Sequence, residues 1–161
     1  MLPPFWQGLT NIGTGLFAPD QTENKLNYDP AVLVSHTQLI QSAINISEGR
    51  NSEVITSIVT AAKECCLVAD WSADVDHNRM VVTLLGNADE IENGILSIAN
   101  IVVQKIDMRN QSGLHPRIGA LDVVPLTPIR NVQMADCITL SEKVAQKLST
   151  TLQLPTILYE Y

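Results

Sequence analysis

The sequence predicts an α+β domain, a ferredoxin-like two-layer α/β sandwich in which one mixed sheet carries its helices on one face. Three observations predict it. Short segments rich in apolar and β-branched residues alternate with longer ones whose apolar residues recur at helical spacing. The resulting order is β-α-β-β-α-β with a further α-β, the pattern of a split βαβ unit. A hydrophobic content of 45% against 17% charged supplies a core for such a domain.

Residues 1 to 37 stand apart. They carry Pro3, Pro4, Gly8, Gly13, Gly15, Pro19 and Pro30 with no sustained periodicity, and are read as a poorly ordered extension. Phe5, Trp6, Leu9 and Phe17 are the side chains that could dock it on the body, read over 38–161. Leu39–Ile46 is expected as the first strand, ending at Ser47-Glu48-Gly49. Ser52–Lys63 follows as a helix, with Ile55, Ile58, Val59 and Ala62 on one face. Cys66–Asp70 and Met80–Leu85 read as a strand pair, with Asp74, Asp76 and Asn78 in the turn. Asn87 and Glu90 have capping-box spacing and open a helix striped by Ile91, Ile95, Ile98, Val102 and Ile106. Leu121–Leu126 is the next strand. Met134–Leu152 is the third helix, with Cys137, Leu140, Val144 and Leu148 inward, and Pro155–Tyr159 is expected as a last strand. No internal repeat or low-complexity tract is visible.

Composition narrows the function classes. The 161 residues fit one domain with a tail, and no apolar run reaches the roughly 20 residues of a membrane span. The N-terminus lacks the positive region and continuous apolar segment of a secretory signal. Three cysteines, Cys65 and Cys66 adjacent, read with Cys137 as reduced thiols of a cytoplasmic protein. No Cys/His spacing suggests zinc, so no metal is expected. A net charge of −7 argues against nucleic acid as a partner. Lys105, Arg109 and Arg117 against Asp107 form a locally basic stretch suited to a small polycarboxylate; scattered surface charge is the competing reading.

The stretch Gly113–Pro125 is the most informative. It places a histidine and an arginine on a loop just before a strand, where a rigid scaffold usually holds catalytic groups. Pro116 disfavours helical backbone at His115, which puts the imidazole on extended, stiffened chain. Gly119 permits a turn or a close backbone approach. Arg117 falls on the same face of an extended segment as His115, and arginine binds carboxylate bidentately. A surface ion pair is its plainer role. Asn45, Ser47 and Glu48 sit at a strand end, a usual ligand position, with a helix N-terminus following; capping that helix competes. Asp70 ends its strand and could orient a histidine or an arginine. His36 and His77 are read as surface residues.

The residues His115-Pro116-Arg117, Gly119-Ala120-Leu121-Asp122 and Pro125, preceded by Asp107-Met108-Arg109, resemble the signature loop of the formiminotransferase N-terminal subdomain family. Two further blocks agree in order and spacing: Asn45-Ile46-Ser47-Glu48-Gly49-Arg50-Asn51 and Asp76-His77-Asn78-Arg79. The resemblance runs from about Leu39 to Tyr161 and implies a folate-dependent transferase of histidine breakdown. It implies transfer of a formimino group from N-formimino-L-glutamate to tetrahydrofolate as co-substrate. His115 takes the place of the family's catalytic histidine, as base and then acid. Arg117 is expected to hold the glutamate portion of either substrate, and Arg79, entering a strand next to the presumed groove, to bind substrate or folate.

One departure accompanies the resemblance. Where some family members carry a second acid two residues after Asp70, this chain has Ser72, so the orienting partner of His115 is left open. The family's site lies between two subdomains, and this chain reads as the first of them, short at its C-terminal end. The expectation is therefore a half-enzyme, completed by self-association or a separately encoded second subdomain. A catalytically silent folate-binding or regulatory subdomain, or a truncated product, are the alternatives. No nucleic acid or membrane partner is expected.

Overall fold

A computed structural model describes residues 35–159. Most of the expected extension over 1–37, including Phe5, Trp6, Leu9 and Phe17, lies outside the described residues. The elements run β1 (Leu39–Ile46), α1 (Ser52–Lys63), β2 (Leu67–Asp74), β3 (Arg79–Gly86), α2 (Ala88–Lys105), a 3-10 turn (Met108–Asn110), β4 (Leu121–Val123), β5 (Thr127–Arg130) and α3 (Met134–Leu152).

The strands form one sheet in the order β2-β3-β1-β4, with β5 also on β1. β4 lies opposite Asn45 and Ile46, and β5 opposite Leu39, Ile40 and Gln41, so both occupy the same edge of β1. Every pairing is antiparallel. The two-layer sandwich stands, but the mixed sheet does not. Each helical crossover skips a strand: β1 and β2 run in the same direction with β3 between them. Strands joined by crossovers are therefore never neighbours, and no parallel ladder arises.

Alternation decides which face is buried. Ile40, Ile44 and Ile46 of β1 and Met80, Val82 and Leu84 of β3 are at most 1% exposed. They meet Ile58 of α1, Ile91, Ile95 and Ile98 of α2, and Leu140 and Val144 of α3 in one core. α1 starts at the N-cap Asn51, whose side chain accepts from the amides of Glu53 and Val54. α2 starts at Asn87, in a capping box with Glu90. Across the helix layer, buried Glu92 of α2 pairs with Lys143 (2.6 Å) and Lys147 of α3.

The opposite face is mixed. Gln41, Ala43, Asn45, Val81, Thr83 and Leu85 there are all part-exposed, so it is not the wholly apolar sheet face that a one-sided sandwich suggests.

Three expected boundaries moved. The strand begun at Leu121 stops at Val123, because Pro125 has no amide to donate. The ladder resumes unexpectedly as β5, where Pro128 is tolerated at an edge. Pro155–Tyr159 is not a strand: Gln153 leaves α3 with φ 53°, and Ile157, Leu158 and Tyr159 are exposed. Composition that favours a strand does not make one here, since propensity alone does not place a segment in a ladder. β2 runs on to Asp74, four residues beyond expectation. His36, read as a surface residue, is instead half-buried with Nε2 2.9 Å from Glu90. All three cysteines are free, and burial pushes the Cys66 thiol up to about 12, far from a nucleophile at neutral pH. Among the described residues no helix is long and apolar enough to cross a membrane.

Candidate active-site groove

The register that turns Ile46 and Met80 toward the helices turns Asn45 and Arg79 the other way. β2 adds Ser72 opposite Val81 and Asp74 opposite Arg79. Together with His77 from the β2–β3 turn and His115 from the loop before β4, they line a groove of about 400 Å³ at one end of the open face.

Arg79 anchors the groove floor. Its Nε donates to Asn45 Oδ1 (3.2 Å) and its Nη1 to Asp122 Oδ2 (2.5 Å). Among the described residues no hydrogen bond uses Nη2. Asp122 also accepts the amides of Ile118 (2.8 Å) and Gly119 (3.2 Å) on Oδ1. Burial pushes its carboxyl up, but the Arg79 bond and those amides outweigh burial and hold it below the usual carboxylate range. Asp122 was not among the candidates. Its signal was its place three residues after Gly119, at the spacing of a side chain folding back on its own loop.

His115 is exposed, and its Nδ1 contacts the Pro116 carbonyl. A carbonyl only accepts, so the proton of the neutral ring sits on Nδ1 and Nε2 is left as a proton acceptor. The His77 ring stands 6.3 Å away, edge-on. His77 Nδ1 lies 3.0 Å from Asp74 Oδ1, which also accepts the His77 amide at 2.7 Å. That amide first, and then the imidazole, hold the Asp74 carboxyl below its usual range. The groove thus presents two imidazoles, one of them tied to an acid.

The other candidates divide. Ser47 and Glu48 are buried, and both are spent on the scaffold. Ser47 Oγ donates to the Gly119 carbonyl (2.8 Å), tying the end of β1 to the His115 loop. Glu48 Oε1 accepts the amides of Arg50 (2.8 Å) and Asn51 (3.0 Å). Asn45 reaches the groove, as the partner of Arg79. Gly119 contributes its backbone at both ends, donating to Asp122 and accepting from Ser47. Asp70 lies in the middle of β2 opposite Thr83 and is exposed; among the described residues its side chain makes no hydrogen bond or ion pair, and it does not line the groove. Arg117 does not line the groove; its Nη2 donates to the carbonyls of His77 (2.9 Å) and His115 (3.4 Å). The segment holding it bends at Leu114, His115 and Ile118, so the expected extended geometry does not apply.

Two scaffold residues escaped the sequence reading. Asn78, 4% exposed with φ 48°, donates to the Ser112 carbonyl (3.1 Å) and to Gln111, and accepts the Gly49 amide (2.9 Å). Gly49 leaves no room for a side chain: a Cβ would lie 2.2 Å from the Asp74 carbonyl. Asn in a turn is ordinary; only the tertiary contacts make it a hub. The expected basic stretch is also largely spent, since Arg109 pairs with Asp107 (2.8 Å). No group of three or more His, Cys, Asp or Glu side chains able to hold a metal occurs among the described residues.

A proton acceptor, a second imidazole and a guanidinium with an uncommitted edge, side by side in a polar groove, suit proton transfer on a carboxylate-bearing substrate. Residues 39–161 match the family described as formiminotransferase domain, N-terminal subdomain. The chain is 35% identical over 125 residues to a glutamate formimidoyltransferase of Streptococcus pyogenes serotype M1, covering 76% of this chain and 42% of that protein. It is 40% identical over 125 residues to a formimidoyltransferase-cyclodeaminase of Rattus norvegicus, covering 76% of this chain and 23% of that protein. A glutamate formimidoyltransferase of Thermoplasma acidophilum is 28% identical over 123 residues, 75% of this chain and 41% of that protein. The chain thus spans less than half the length of these relatives.

Proposed function

The chain belongs to the formiminotransferase N-terminal subdomain family, and from that premise we propose that it forms one wall of a glutamate formimidoyltransferase site. The substrates are N-formimino-L-glutamate and tetrahydrofolate. The observation that carries this reading is His115 at the groove with its Nδ1 on the Pro116 carbonyl, a contact that suits the tautomer whose Nε2 accepts a proton. In the reaction, N5 of the folate attacks the amidine carbon and gives up its proton to His115. The tetrahedral intermediate then breaks at the bond to glutamate, whose nitrogen receives that proton from His115. One imidazole serves both transfers because the proton is neither gained nor lost overall. Arg79 Nη2 is the group for a substrate carboxylate. Nε and Nη1 are already held by Asn45 and Asp122, so binding there orders little further.

The fit to a reduced folate is that of half a cleft: polar groups at one end, Ala73 and Val81 beside them, and an open side. The facing wall comes from a second subdomain or a second copy of the chain, and the setting is the cytoplasm, in histidine breakdown. The test is a chimera in which this chain replaces the matching segment of the Streptococcus pyogenes relative. It should transfer the formimino group, and His115→Ala should slow transfer by about 10²–10⁴-fold. Its melting temperature should hold, since the imidazole is exposed and bonds only within its own loop. A folded chimera without activity, or one that keeps its rate without His115, sinks the reading.

A further inference from the structure

The two histidines of the groove come from loops nearly forty residues apart in sequence; Asn78 ties those loops at Gln111 and Ser112, and Arg117 joins them at the histidines themselves. Its Nη2 donates to the carbonyl of His77 and to that of His115. Its Nη1 is enclosed and has no hydrogen-bond partner among the described residues. Gly113 makes the crossing possible. A Cβ there would stand 2.2 Å from the His77 carbonyl oxygen and 2.3 Å from Arg117 Nη2, so any side chain would push the strap out of place. The one direct backbone link between the loops, Leu114 amide to Asp76 carbonyl (3.2 Å), lies beside it.

We propose that Arg117 is a positioning residue, a strap that fixes the His77 and His115 loops at their working separation, and that it does not grip a substrate carboxylate. Three observations separate these roles. The guanidinium lies off the groove lining. Its donating edge is occupied by main-chain carbonyls. Among the described residues it pairs with no carboxylate, and its bonds run into the loop junction. Both carbonyls are served by one nitrogen, Nη2, whose N–H bonds are fixed in the guanidinium plane, whereas a lysine ammonium is a compact charge on a flexible stem. The strap acts on His115 through backbone, while Asp74 sets the direction of the His77 ring.

The proposal rests on the transferase reading for its kinetic consequence but not for its structural one, so the experiment has two arms. The first is amide hydrogen exchange on the full chain, wild type against Arg117→Lys and against Gly113→Ala. The Leu114 amide should exchange about 10-fold faster or more in both variants, as expected from losing a charge-assisted bond. Amides inside α2 should be unchanged. Unchanged Leu114 exchange in Arg117→Lys overturns the strap. So does faster exchange that spreads equally through α2, which marks general destabilisation. Gly113→Ala keeps the arginine and its charge, so it separates crowding of the strap from loss of a cation.

The second arm is transfer kinetics in the chimera. A strap predicts that Arg117→Lys lowers kcat by about 10-fold or more with the KM for N-formimino-L-glutamate within about 2-fold. A carboxylate ligand predicts the reverse split, and that result overturns the proposal. If the wild-type chimera folds without turning over, the transferase reading fails, and the exchange arm alone decides whether Arg117 joins the two loops.

Discussion

The two faces of the same strands are held together by different physics. On the helix side, Ile40, Ile44, Ile46, Met80, Val82 and Leu84 pack against three helices through contacts that have no direction. On the groove side, the same strands and the residues that flank them carry polar side chains, each satisfied by particular partners distant in sequence. Arg79 meets Asp122, Ser47 meets Gly119, and Asn78 meets Ser112. The apolar face should therefore lose stability in proportion to volume removed. The polar face should fail stepwise, since removing one partner strands another.

The largest effect should come from breaking the polar face at its centre. Arg79→Ala leaves the Asp122 carboxylate, whose side chain is 5% exposed, without its counter-charge. It should cost about 3 kcal/mol in denaturant unfolding, the low end for a buried pair because the groove admits water. A loss under about 1 kcal/mol would place the pair with ordinary surface ion pairs and erase the contrast between the faces. The matched change on the apolar face is gentler: Ile44→Val should cost roughly 0.5–1.5 kcal/mol, measured as a shifted midpoint at constant m-value.

Acid sharpens the contrast. Asp122 has a folded-state carboxyl below its unfolded-state value, with Arg79 and the Ile118 and Gly119 amides outweighing burial. Its contribution is complete above the unfolded value and is lost as pH falls through the folded one, so the window lies below about pH 4. Stability measured from neutral into that range should fall less steeply in Asp122→Asn than in wild type. Equal slopes would mean that other carboxylates carry the acid response. The smallest effect belongs to Ser42, a fully buried residue on the apolar face whose hydroxyl has no partner among the described residues. Ser42→Ala should fall within about 1 kcal/mol of wild type, on the stabilising side. A clear destabilisation would reveal a bonded water at that hydroxyl.

Legibility followed the range of the interaction. β1, α1 and α3 were readable to the residue, because their apolar periods and the chain that ends them are local. The break at Pro125 was not, since a proline interrupts a ladder only in relation to the strand beside it, and β5 became visible only once β1 offered the rest of its edge. In the groove, His115 and Arg79 stood out as chemistry-bearing residues in dense motifs, whereas Asp122 and Asn78 looked like ordinary strand and turn residues. Glu48 looked like a ligand and is spent on the amides of Arg50 and Asn51.

By itself the sequence determined the two-layer class, the helix-facing core positions, the family and the loop that carries His115. Each of these depends on residue type and on spacing within about twenty positions, where side-chain periodicity and backbone preference act. Only the tertiary structure decided that the sheet is wholly antiparallel, that Arg79 is held by Asn45 and Asp122, and that Arg117 faces two carbonyls. Those outcomes turn on which distant groups come within 3–4 Å of one another, and hydrogen bonds and ion pairs reward only that final geometry.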